Sequence, residues 1–197
     1  MKKYSGFTLM ELMITLFIVG ILLTVGVPSM KSFLQSNQLI ASTNELISAF
    51  HVARSEAIKL NSRVTICESS NGKTCATTGS WREGWIVFVD ANGDLANTGA
   101  PCAAVNTDCL LRIHDEIDNP DFSLTGVDAN SAPVSSITFT SRGLPRSTVG
   151  DAESATFSVC SYDSSNNVMG SRAVVLGFSG RVRVSDNAAI ISCPATP

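Results

Sequence analysis

Gly6-Phe7-Thr8-Leu9-Met10-Glu11-Leu12-Met13-Ile14-Thr15-Leu16-Phe17-Ile18-Val19-Gly20-Ile21-Leu22-Leu23-Thr24-Val25-Gly26-Val27-Pro28 is the stretch on which the reading of this chain turns. Residues 7–27 carry one formal charge, Glu11. At a helical rise of about 1.5 Å per residue they extend about 31 Å, close to the hydrocarbon thickness of a bilayer. The stretch is therefore expected to cross a membrane once.

Its head is unusual. A secretory signal places a small-residue cleavage site after the apolar region, whereas here the small residue, Gly6, stands before it, behind the basic leader Met1-Lys2-Lys3-Tyr4-Ser5. Cleavage at Gly6 would leave the anchor attached. Glu11 is the second departure: an ionisable group at the membrane centre costs on the order of 2.5–3.5 kcal/mol, less near the interface, and is a functional candidate in need of a partner. An ordinary signal anchor explains the hydropathy but neither Gly6 nor Glu11, and nothing resembling a secretory cleavage site follows near residues 25–29.

These residues resemble the class III signal of type IV pilins and type II secretion pseudopilins: Gly, then Phe-Thr-Leu, one variable apolar residue, and Glu. The resemblance implies that a prepilin peptidase cuts between Gly6 and Phe7 and methylates the new amino group of Phe7. Glu11 then becomes the fifth mature residue, which in that family pairs with the N-terminal amine of a neighbouring subunit during assembly. Pro28 stands where many pilins have a proline. The implied division is a leader at 1–6, a transmembrane and filament-core half-helix at 7–28, an amphipathic half-helix at 29–61 and a β-rich head at 62–197.

The formal net charge is −3, from 14 Lys+Arg and 17 Asp+Glu; without Lys2 and Lys3 the balance is 14 − 2 = 12 against 17, or −5. A broadly basic nucleic-acid-binding surface is excluded, and a small local patch is not. Charged residues make up only 16% of the chain, which suits an exported β-rich domain.

The cysteines Cys67, Cys75, Cys102, Cys109, Cys160 and Cys193 all lie beyond the anchor, where disulfides are the default. Many pairings are open. Sequence proximity favours Cys67 with Cys75 and Cys102 with Cys109, leaving Cys160 and Cys193 to tie down the C-terminus. A zinc site has no Cys-x-x-Cys to build on, and neither His51 nor His114 sits at ligand spacing from a cysteine. No metal or cofactor is expected.

After Pro28 the apolar pattern becomes periodic: Phe33, Leu34, Ile40, Thr43, Leu46, Ile47, Phe50, Ala53, Ala57, Leu60. Steps of three and four mark an amphipathic helix, so one helix is expected from Phe7 to about Leu60, kinked or melted near Gly26 and Pro28. From Arg63 onward short strands are expected at 63–67, 85–89, 110–113, 137–139, 155–159, 173–176 and 182–184. The fold class is α+β, a long N-terminal helix packed on antiparallel sheet. Residues 96–136, with Pro120 and Pro133, read as a long variable loop.

Ala53-Arg54-Ser55-Glu56-Ala57, then Gly84-Trp85-Ile86-Val87-Phe88-Val89-Asp90 with Asn92-Gly93-Asp94, and the late Gly177-Phe178-Ser179-Gly180-Arg181 resemble the GspH/FimT family of minor pilins and pseudopilins. That resemblance implies a type IV pilin-like fold and assembly with other major and minor subunits through the N-terminal helix.

Chemistry-bearing patterns are few. Asp90, Asn92 and Asp94 alternate as calcium ligands could, but the EF-hand needs its Gly at the sixth position and Glu at the twelfth, and neither is there. A tight Asn-Gly turn closing a hairpin explains them more simply. Asp115, Glu116, Asp118 and Asp121 read as a solvated face rather than paired catalytic carboxylates. No nucleophile elbow or phosphate loop occurs, so no enzymatic activity is expected.

In Phe178-Ser179-Gly180-Arg181-Val182-Arg183-Val184, alternation along a strand puts Arg181 and Arg183 on one side, where two forked cations suit phosphate oxygens, and Gly180 allows close approach. This Gly-Arg-x-Arg resembles the motif of FimT-type minor pilins associated with DNA capture in natural transformation. On that resemblance Arg181 and Arg183 contact double-stranded DNA, and Arg142, Arg146 and Arg172 extend the patch. The competing reading makes Gly180 and Arg181 a sheet end, with Arg183 paired to Asp186.

Three functions follow. The first is a minor pilin near the tip of a type IV pilus, held in the inner membrane before assembly and then carried to the cell surface, with a DNA-binding role. The second is an H-type pseudopilin of the type II secretion system, in a periplasmic pseudopilus tip. The third, a membrane-anchored periplasmic enzyme, would keep Met1.

Overall fold

The computed structural model describes residues 6–77, 80–95, 102, 108–147 and 154–195. Two compact units, residues 1–38 and 39–197, divide the chain, and helix α1, Leu9–Lys59, contributes to both.

Local chemistry sets both ends of α1. Thr8 caps the start: its Oγ1 accepts the Glu11 N–H at 3.2 Å and its carbonyl accepts the Leu12 N–H. With Glu11 three residues on, Thr8-Leu9-Met10-Glu11 has the capping-box spacing. At the other end Asn61 turns left-handed at φ 49, the Ser62 N–H reaches the Ala57 carbonyl, and the Asn61 N–H reaches that of Ile58. These are the two bonds of a Schellman stop. The helix runs through Gly26 and Pro28 without melting; a proline removes one donor, and the turns around it keep theirs.

The first unit's helix exposes Leu9, Met10, Met13, Phe17, Leu22 and Met30, each more than half accessible. Among the described residues, however, no helix is long and apolar enough to cross a membrane. The expected span over residues 7–28 therefore rests on the sequence alone.

In the second unit α1 buries Leu39, Thr43, Leu46, Phe50, Ala53 and Ala57, the four-three-four-three-four stripe of an amphipathic helix. Around it lie two antiparallel sheets. The first, in spatial order β3 (Cys109–His114), β2 (Trp85–Val89), β1 (Val64–Glu68), β5 (Ser136–Phe139) and β6 (Pro145–Ser147), turns Val64, Ile66, Trp85, Val87, Ile137 and Phe139 into the core. The second, in order β4 (Phe122–Asp128), β7 (Ala155–Tyr162), β8 (Val168–Leu176) and β9 (Val182–Ser185), adds Phe122, Leu124, Phe157, Val159, Val174 and Leu176.

Phe50 is the hub. Its ring centroid is 5.0 Å from that of Phe157 on the second sheet, 6.4 Å from Phe139 on the first and 6.5 Å from Trp81 in the single helical turn Trp81–Glu83. The Trp81 indole N–H donates to the Val134 carbonyl at 2.7 Å, so this buried indole has its polar atom satisfied. On the first sheet's other face Cys67, Ile86 and Phe88 form a smaller cluster with Cys75 and Leu110.

The segment 96–136 is not a long loop throughout: β3 and β4 both lie in it. The β4 pattern escapes notice because its third core-facing position is Gly126, where a Cβ would stand 2.7 Å from the Phe157 ring. An aromatic from the next strand fills the space that a third apolar side chain would occupy. Strand β6, only three residues beginning with proline, also lies outside the expected set.

Candidate functional site

At the N-terminus, Phe7 is 83% exposed, and Glu11 is exposed in the first turn, where the helix dipole favours an anion. The capping bond itself uses the Glu11 backbone N–H and leaves its carboxylate to other partners.

The C-terminal motif sits in a turn with a recurrent design. In 128–132, 140–144, 163–167 and 177–181 the first N–H bonds the fifth carbonyl and the fourth N–H bonds the first carbonyl. The fourth residue has positive φ each time: Ser131 at 64, Gly143 at 72, Asn166 at 60 and Gly180 at 72. Ser131 and Asn166 show that this turn does not itself require glycine. In both of those turns an aspartate at the first position, Asp128 or Asp163, accepts N–H groups through Oδ1.

At 143 and 180 contact makes the demand. A Cβ on Gly180 would fall on the Gly143 carbonyl oxygen, and one on Gly143 would stand 2.8 Å from Ile58 Cδ1. Beneath them Arg54 of α1 donates from Nε to the Gly143 carbonyl at 3.1 Å. Two hairpin turns, one from each sheet, thus abut over one helix arginine.

This junction gathers some of the expected cations and leaves others apart. Arg142 is the third residue of the first turn and Arg181 the fifth of the second, and both are exposed. Arg183, also exposed, pairs in register with Val175, while its neighbour Val182 packs against the core, so Arg183 turns outward; Arg181 precedes β9 in the turn.

Arg172 lies opposite Val159, on the side of β8 that carries Val174 and Leu176, and its Nε is 3.7 Å from Asp186 Oδ1. The acid expected beside Arg183 therefore faces Arg172. Arg146 is exposed on β6, paired in register with Thr138 on the sheet face away from the helix. Arg54 was not among the expected contacts; its one sequence signal is a cation bordering the buried stripe at Phe50, Ala53 and Ala57.

Other patterns have local explanations. Asp90 is buried and accepts the Thr65 hydroxyl at 3.1 Å and the Gly93 N–H at 2.8 Å, while Asn92 and Asp94 bond each other. The strand paired beside β2 at this end begins at Cys109, so the Asn-Gly turn does not close a tight hairpin. Asp115, Glu116 and Asp118 are exposed around the buried Ile117, and Glu116 lies 3.7 Å from Arg82. Among the described residues no His, Cys, Asp and Glu side chains group as metal ligands would.

Disulfides join Cys67 to Cys75, Cys102 to Cys109 and Cys160 to Cys193. Beside the third, the Ser192 N–H donates to Ser158 Oγ at 2.9 Å and the Tyr162 hydroxyl donates to the Pro194 carbonyl at 2.8 Å. These bonds strap the C-terminal tail across β7.

A capped N-terminal helix whose second half is buried between two antiparallel sheets, behind a leader of the methylated type, defines a type IV pilin-like filament subunit. The chain belongs to the family described as Type II transport protein GspH, whose model matches residues 42–180. The prokaryotic N-terminal methylation motif matches residues 1–27. It is accordingly a GspH/FimT-like minor pilin or pseudopilin, of a family that is structural rather than enzymatic.

Among solved structures, the type IV minor pilin FimU of Pseudomonas aeruginosa strain PAO1 is similar in fold, with TM-score 0.53 and 22% identity over 78% of this chain and 92% of that one. The minor pseudopilin EpsH from the Type 2 Secretion System of Vibrio cholerae gives TM-score 0.45 and 10% identity over 76% and 97%. No curated protein compared with the chain matches it.

Proposed function

We propose that this chain is a minor subunit of a type IV pilus, incorporated near the tip, that contacts double-stranded DNA through Arg181 and Arg183. It is cleaved after Gly6 by a prepilin peptidase, methylated at Phe7, and docked through Glu11 against a neighbouring subunit. Before assembly the inner membrane holds residues 7–28. The supporting observation is the junction at Gly143 and Gly180, which sets the exposed Arg142 beside the turn that carries Arg181, with Arg54 beneath and Arg183 two residues on.

Cations that meet only phosphates bind weakly, without sequence preference, and with affinity that falls steeply as salt rises. The test is duplex binding by the full chain in detergent, at two salt concentrations, against Arg181→Ala/Arg183→Ala. Salt-sensitive binding that vanishes in the folded double variant supports the reading; a wild-type chain that binds no duplex at low salt removes it.

The second reading is an H-type pseudopilin of the type II secretion system, favoured by the description of the family that covers residues 42–180. Deletion strains separate the two: loss of pilus-dependent DNA uptake supports the first, and loss of protein secretion the second.

A further inference from the structure

The turn 177–181 carries a side chain that phosphate binding does not use. Phe178, at its second position, is 63% exposed. Every other Phe, Trp and Tyr from Leu39 onward (Phe50, Trp81, Trp85, Phe88, Phe122, Phe139, Phe157 and Tyr162) is buried. Nothing local calls for the ring: the second position of such a turn accepts most residues, and the matching position of the abutting turn is Ser141.

The surroundings fit a nucleotide. Arg181 belongs to the same turn, Arg142 to the turn it touches, and the exposed apolar side chains Leu144 and Ile58 border the Gly143 contact. Cations that follow a phosphate backbone, set beside an exposed aromatic face, are the two components of single-strand binding sites. Within a duplex both faces of each base are already stacked, so only the cations would be used there.

We propose that Phe178 is a stacking platform for an unpaired base, so that this site takes single-stranded DNA in preference to the interior of a duplex. The proposal rests on the DNA reading given above. A base on the ring would leave its flanking phosphates to the exposed cations of the two abutting turns, Arg181 and Arg142. A duplex reaches the arginines alone and is held less well per nucleotide.

The test uses the full chain in detergent, with labelled oligo(dT) as the single strand and a closed circular duplex, which has no ends, as the comparison. Phe178→Ala is expected to weaken oligo(dT) binding by about fivefold to a hundredfold and to change circle binding by less than about twofold. Phe178→Trp is expected to keep oligo(dT) binding and to report it directly. Trp81 and Trp85 are buried, so the introduced indole is the exposed emitter, quenched when a base stacks on it.

An unquenched indole, or equal losses on both ligands in Phe178→Ala, overturns stacking while leaving the phosphate reading in place. A wild-type chain that binds neither oligo(dT) nor the circle overturns both. Loss of both ligands in Arg181→Ala/Arg183→Ala, with the Phe178→Ala effect confined to oligo(dT), supports both.

Discussion

His114 stacks on Trp85, with ring centroids 3.7 Å apart and planes 9° from parallel. Its Nε2 lies 2.8 Å from Glu45 Oε2 on α1, and its Nδ1 lies 2.7 Å from the Asp115 carbonyl oxygen. Two residues earlier on β3, Arg112 donates to Ser48 Oγ at 3.1 Å. Edge strand β3 of the first sheet is thus tied to the helix by polar contacts over a buried tryptophan.

His114→Ala removes the stack and the carboxylate bond together and is expected to cost about 1–2 kcal/mol, since Glu45 is half exposed and regains water. Glu45→Gln, which keeps an acceptor, should cost less than half as much. Urea unfolding of both variants checks the order; equal losses would show that the stack contributes nothing.

Gly180→Ala sets a Cβ against the Gly143 carbonyl at a left-handed φ of 72 and is expected to destabilise by about 2–4 kcal/mol. Asn166→Gly, at the same position of an equivalent turn, should stay within about 0.5 kcal/mol of the parent. The pair separates packing from backbone conformation. A Gly180→Ala variant that melts with the parent would return Gly180 to a purely ligand-binding role.

Gly126→Ala drives a methyl group into the Phe157 ring and is expected to cost about 1–3 kcal/mol through overpacking. Adding Phe157→Leu opens room at that position, so the double variant should lose less than the sum of the two single changes. Full additivity, measured by a double-mutant cycle, would place the two residues out of contact.

Gly126 also shows where the sequence stops being readable. The stripe at Leu39, Thr43, Leu46, Phe50, Ala53 and Ala57 is a local period, and a local period can be read without knowing what packs on it. A strand whose core face is Phe122, Leu124 and then glycine has no such period, because its third place is filled by a ring from another strand. The same limit governs the cations. Alternation turns Arg181 and Arg183 to one side from sequence alone, whereas Arg54 joins them only because two turns 37 residues apart, at Gly143 and Gly180, meet over the helix (180 − 143 = 37). Asp186 could not be assigned to Arg172 before the β8–β9 register was known.

The C-terminal tail depends on a disulfide that closes 33 residues, against 8 for Cys67 and Cys75. In the chain-entropy account the longer loop stabilises more, by about 1 kcal/mol for this difference in length. Cys160→Ser/Cys193→Ser is therefore expected to cost about 2–5 kcal/mol, and more than Cys67→Ser/Cys75→Ser. The loss also has a local signature. The Ser192 amide, held on Ser158 Oγ only while the tail lies across β7, should exchange with solvent at near the rate of an open chain, while β7 amides such as that of Val159 keep the protection set by their ladder. Hydrogen exchange on the two double variants decides it: protection of Ser192 without its disulfide would mean that the Tyr162 and Ser158 bonds hold the tail unaided.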